Sequence, residues 1–215
     1  MYVAALTGLA LEQPGITTFV YEDGPLAEYG ANAAVRWLHP GKPIVMVSEQ
    51  ESKTEVLMES PILAILYWDK NTRRLNPIVR APSIESYVQA GPAMPVWQLR
   101  DGWFPGEGLH RWTKPHAVAE LMRPARAASF EITVNVNEEY IAKLHESHVR
   151  LALGGAQIGG FDLTAPGLQT YRLPVPPAPS GRVELTIDVD PPYPGNEPLG
   201  IAVAGFGFPP AHSMK

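Results

Sequence analysis

Two stretches of the chain alternate strictly between apolar and polar positions. Phe130, Ile132, Val134 and Val136 are interleaved with Glu131, Thr133, Asn135 and Asn137. Val183, Leu185, Ile187 and Val189 are interleaved in the same way with Glu184, Thr186, Asp188 and Asp190. A period of two turns one side of a strand to a core and the other to water. Residues 149–153 and 156–158 flank Gly154-Gly155, a pair suited to a two-residue hairpin turn. Residues 171–175 and 200–208 complete a set of strands separated by Pro/Gly loops. The pattern predicts a mainly β chain whose C-terminal part, 96–215, is an antiparallel β-sandwich of jelly-roll type.

Ahead of that region the pattern is mixed. Residues 17–21 are β-branched and aromatic and read as a strand, followed by an Asp23-Gly24-Pro25 turn. Residues 26–38 follow as a helix with Leu26, Tyr29, Ala33, Ala34 and Trp37 on one face, closed by His39-Pro40-Gly41. A short buried strand at 43–47 makes the order strand–helix–strand, which predicts a parallel pair with a right-handed crossover. The polar stretch 48–54 reads as a loop leading to a short helix or irregular segment near Val56. Residues 61–68 form the most apolar strand, with a hairpin partner at 75–79. Residues 81–95, with three prolines, read as a connector. The expected organisation is a small α/β domain with its connector over 1–95 and the sandwich over 96–215.

Composition narrows the picture. The 23 prolines and 19 glycines have no collagen-like period and fit many turns between short strands. A net charge of -5 and the lack of any basic run argue against a nucleic-acid partner. With no cysteine in the sequence, disulfides, thiolate metal sites and a cysteine nucleophile drop out. Residues 1–11 are nearly all apolar but fall short of the ~20 needed to span a bilayer. They also lack the cationic start of a signal peptide. They read first as a short core helix and second as the remnant of a membrane segment.

Motifs for chemistry are sparse. There is no Gly-x-Ser-x-Gly elbow, no Walker loop and no dinucleotide fingerprint, and we expect no catalytic residue and no cofactor. The glycines at 154–160 lack the lysine and helix of a phosphate cradle and read as hairpin chemistry. His145 and His148 have neither zincin spacing nor an evident third ligand, so no metal site is expected from them. Asp188, Asp190 and Glu197 suit calcium as oxygen ligands but are equally expected on a wet strand face. The densest feature lies at 97–112, where three of the five tryptophans fall within sixteen residues. Trp97, Trp103 and Trp112 are interleaved there with Arg100, Asp101, Glu107, His110 and Arg111. Flat rings beside charged groups suit a sugar, and they equally suit a packed corner. Trp112 is expected to begin a strand and point inward, and Glu107 with Arg111 to brace the loop. Trp103, beside Gly102 and Phe104-Pro105, is the best candidate for exposure.

The segment Gly102-Trp103-Phe104-Pro105-Gly106-Glu107-Gly108-Leu109-His110-Arg111-Trp112-Thr113 resembles a pattern, Gly-Trp-aromatic-x-x-Glu-x-x-x-Arg-Trp-Thr. That pattern opens jelly-roll, carbohydrate-binding-like domains attached to bacterial membrane glycosyltransferases. The order that follows is similar too, with Tyr-x-Leu-Pro-x-Pro at 171–176 and Leu-Gly-Ile-Ala-Val at 199–203. The resemblance covers about residues 96–208. Where related domains carry Asp-x-Arg before the Leu-Gly pair, this chain has Gly195-Asn196-Glu197-Pro198. The resemblance implies a non-catalytic, extracytoplasmic glycan-binding domain, with Trp103, Glu107, His110 and Arg111 at or bracing the ligand surface. The alternative is an accessory subunit that docks through its sandwich onto a larger membrane-associated complex.

Overall fold

A computed structural model describes residues 15–21, 36–37, 40–41, 43–48, 54–69, 72 and 74–209. The chain divides into two compact units, Met1–Ser83 and Ile84–Lys215. The expected helices at 1–11 and 26–38 lie outside the described residues, apart from Arg36 and Trp37, which are helical and exposed. Among the described residues no helix is long and apolar enough to cross a membrane.

In the first unit, β1 (Thr18–Tyr21), β2 (Val45–Ser48), β3 (Leu63–Asp69) and β4 (Arg74–Arg80) form one sheet in the order β2-β1-β3-β4. β1 runs parallel to both β2 and β3, whereas β4 returns antiparallel from β3 as the predicted hairpin. A short helix, α1 (Thr54–Glu59), precedes β3. Phe19, Val20, Ala64 and Leu66 are all buried, so the central strands are covered on both faces. That explains their continuous rather than alternating hydrophobicity.

The second unit is built from two antiparallel sheets. One has the order β11-β10-β13-β8 and contains β8 (His116–Arg123), β10 (Ser147–Leu153), β11 (Ala156–Leu163) and β13 (Gly181–Asp190). The other is six-stranded and follows the order β12-β9-β14-β7-β6. It holds β6 (Trp103–Glu107), β7 (His110–Thr113), β9 (Ser129–Val136), β12 (Gly167–Pro174) and β14 (Ala202–Gly207), with β5 (Tyr87–Gln89) also paired to β14. From β7 onward the chain switches sheet at every step except the β10–β11 hairpin, as in a jelly roll. β5 therefore places part of the stretch read as a connector inside this unit. A second helix, α2 (Glu138–Leu144), links β9 to β10, and Asn137 caps it by accepting from the Tyr140 N–H at 2.6 Å.

Burial follows the alternation. Phe130, Ile132 and Val134 of β9 and Leu185 and Ile187 of β13 are fully buried, and Val149 and Leu151 of β10 join them. The turn between β10 and β11 is Gly154-Gly155 with φ of 56° and 78°. Two consecutive positive φ values define the turn type whose twist matches that of the flanking strands.

Candidate functional site

The aromatic segment folds as a hairpin at a sheet edge. β6 is the edge strand, and Glu107 and His110 face each other on either side of the Gly108-Leu109 turn. Their side chains come within 3.6 Å, and Leu109 at the tip is 74% exposed. Arg111 is 4% exposed, and its guanidinium lies against Gly106, where a side-chain carbon would come within 3.3 Å. Trp103 stands at the opposite end of β6, paired with Thr113, about 13 Å from Glu107 by strand rise. Its indole stacks on Phe206 at 5.4 Å and donates its N–H to the Val118 carbonyl at 2.7 Å. The four residues singled out from the sequence thus sit on one hairpin, with Glu107 and His110 together, Arg111 buried and Trp103 against the core.

Trp112 is half-buried rather than fully inward, because the strand alternation turns Arg111 and Thr113 to the buried side. Its ring continues a stack, with Tyr140 at 6.4 Å and then Tyr193 at 5.6 Å from Tyr140. Lys143 lies over the Tyr193 ring at 4.6 Å, and the Tyr193 hydroxyl donates to Glu139 at 2.7 Å. That carboxylate raises the Tyr193 pKa, while burial raises that of Tyr140. The Tyr193 end of this column is therefore capped by the protein's own Lys143, and His110 meets Trp112 edge-on at 6.4 Å.

Of the residues weighed as metal ligands, His148, Asp188 and Asp190 lie on the outer face of the β11-β10-β13-β8 sheet, and Glu197 lies in the loop after β13. His148 and Asp162 pair at 2.5 Å and His116 and Asp188 at 2.7 Å, each across adjacent strands. His145 instead ends α2 with φ of 61°. Among the described residues no three His, Asp or Glu side chains group as a metal site.

On the same face the structure forms a groove of about 440 Å³, lined by Arg100, Asp101, Val118, Glu120, Arg182 and Glu184. It is placed by the segment after β5. Gln98, fully buried in a short 3₁₀ turn, donates to the Glu120 carbonyl at 2.7 Å and accepts from the Glu85 N–H at 2.8 Å. Arg100 and Asp101 are then stitched to the free edge of β8. The Arg100 N–H reaches the Val118 carbonyl, and the Val118 N–H reaches the Asp101 carbonyl, each at 2.9 Å. Gly102 (φ 81°) completes the close approach, since a Cβ there would fall 2.0 Å from the His116 carbonyl oxygen. Within the groove Arg100 holds Glu120 at 2.6 Å and Arg182 approaches the same carboxylate at 3.7 Å. Glu120 and Glu184 stand in register on neighbouring strands.

Sequence reasoning noted Arg100 and Asp101 but not this site. Its residues come from three separate stretches, and β8, rich in alanine and helix-favouring residues, went unread. The signal was present in the two-residue period of Ala117, Ala119, Leu121 and Arg123, all buried.

The class defined by this architecture is a two-sheet β-sandwich with a polar groove on one outer face. Compared with known protein families and with curated proteins, the sequence matches none. Solved structures similar to it include the CBM36-1 domain of a multidomain xylanase from the hindgut metagenome of Trinervitermes trinervoides. That match has 14% identity, covers 44% of this chain and 73% of that one, and has a TM-score of 0.30. Another is CBM51 from Clostridium perfringens GH95, in complex with methyl-galactose, at 13% identity, 59% and 90% coverage and a TM-score of 0.31. A third is the catalytic unit of a GH87 alpha-1,3-glucanase from Streptomyces thermodiastaticus, at 12% identity and a TM-score of 0.31. It covers 47% of this chain, which spans only 20% of the glucanase unit. Likenesses this slight carry no argument about function, which is drawn below from the residues.

Proposed function

We propose that the second unit is a non-catalytic, carbohydrate-binding-like module that receives a polyhydroxylated ligand in the groove between β8 and β13. The observation that carries this reading is the groove itself, where Arg100, Asp101, Glu120, Arg182 and Glu184 converge on one open face. Ionised carboxylates accept from hydroxyls and guanidiniums donate to them, so neighbouring groups of both kinds can grip adjacent hydroxyls. Its volume falls within the range of ordinary ligand sites, ~300–1,000 Å³. Arg100 holds Glu120 at 2.6 Å, with Arg182 nearby at 3.7 Å, which favours a preformed recognition surface over a reacting group. The sequence likeness of 102–113 to domains of membrane glycosyltransferases supports a setting outside the cytoplasmic membrane, in a surface-glycan system.

Calorimetric titration of the whole chain with a panel of soluble oligosaccharides tests the reading. Binding is expected to at least one, weakened about tenfold or more in Arg182→Ala, whose side chain is largely exposed. A panel with no binder, or an Arg182→Ala variant that binds as well as the parent, overturns it. Cell fractionation that recovers the native protein from the cytoplasm would remove the extracytoplasmic part.

A further inference from the structure

The groove has more free acceptors than free donors. Both arginines are turned to Glu120, one at 2.6 Å and the other at 3.7 Å. Glu184 and Asp101 are exposed, and neither carboxylate has a hydrogen-bond or ion-pair partner among the described residues. Like charges directly opposite on neighbouring strands repel. Glu120 and Glu184 occupy such positions, and the guanidiniums are paired to only one of them. The lining holds two guanidiniums against three carboxylates, a net charge of -1.

The face beyond the groove continues the bias. Asp188 and Asp190 of β13 and Asp162 of β11 share it with one arginine, Arg150, and with the two histidines. A uronic acid or a sulfated sugar would bring its anion to an acidic surface. A ligand with a cationic donor would meet unpaired acceptors.

Resting on the sugar-binding reading, we propose that the groove selects saccharides with free amino groups, one hexosamine ammonium docking against Glu184 and a second against Asp101, which lies across β8 two strand spacings (~10 Å) away. An ammonium has three donors and no acceptor, which suits carboxylates that have no other partner. Beyond the charge-assisted hydrogen bond that any donor makes to a carboxylate, an ammonium adds the Coulomb attraction of a full opposite charge. An uncharged N-acetyl group in the same place would forgo that gain and leave Glu184 facing Glu120 uncompensated.

The test compares four ligands by calorimetry on the whole chain: trimers of glucosamine, of N-acetylglucosamine and of galacturonic acid, and trilysine. The glucosamine trimer should bind about tenfold more tightly than its acetylated form, and the galacturonate trimer should not bind. High salt should narrow the gap, and Glu184→Gln, with Asp101→Asn as a second exposed variant, should close it. Equal affinity for the amine and its acetyl form overturns the amine selectivity while leaving sugar binding intact. An unaltered preference in both variants also overturns it, by removing the carboxylates as its cause. Trilysine binding as tightly as the glucosamine trimer replaces the sugar by a basic peptide. Failure of every trimer to bind ends this inference, and the sugar-binding reading falls with it only if the wider oligosaccharide panel also yields no binder.

Discussion

The indole of Trp103 lies 5.4 Å from the Phe206 ring, and its N–H reaches the Val118 carbonyl at 2.7 Å. Sequence alone left this side chain poised between packing and a ligand, because Gly102 and Phe104-Pro105 looked like a loop. The ring it stacks on comes from a residue more than a hundred positions away, which no local pattern announces. Trp103→Ala is expected to lower the stability of the protein by about 3 kcal/mol in urea unfolding. Trp103→Phe keeps most of the ring but removes one of the two donors to the Val118 carbonyl, the Arg100 N–H remaining, at about 0.5–1 kcal/mol. An unchanged unfolding midpoint for Trp103→Ala would show that the ring is no packing element. The same blindness to distance hid Glu120 and Glu184, which are separated in sequence and meet only through the register of β8 and β13.

Elements were legible wherever one period dominated. β9 and β13 follow the alternation directly, and Gly154-Gly155 fixes the β10–β11 hairpin through its own backbone. β5 was obscured by the prolines around it, and the β6–β7 hairpin by glycines and a proline that read as loop. β6 tolerates Pro105 because it lies at the sheet edge, where a missing N–H breaks no ladder on the outer side. α2 carries its own signal in Asn137 followed by Glu138 and Glu139, a cap with acidic residues in the first turn. Removing that cap with Asn137→Ala is expected to cost about 1 kcal/mol, read as a lowered midpoint of chemical unfolding. A variant as stable as the parent would mean that tertiary packing of Tyr140, not the cap, holds the start of the helix.

At the scale of the whole molecule, the division at Ser83 and Ile84 gives the sandwich unit its own core. Val88, Ala90 and Met94 are part of that core although they precede the tryptophan-rich segment. A chain begun at Ile84 is therefore expected to unfold cooperatively, whereas one begun at Val96 should be several kcal/mol less stable, having lost three core side chains and the β5 pairing. Thermal unfolding of the two chains gives the answer, and equal midpoints would take 84–95 out of the folding unit. β14 has a further consequence. It is the last of the described strands, yet it lies between β9 and β7 and also pairs with β5. During synthesis both neighbours must wait with open edges until residues 202–207 emerge. Pairings this distant close slowly, on the order of milliseconds to seconds in all-β sandwiches. The interval before that closure is when a growing chain is most prone to pair with another copy of itself.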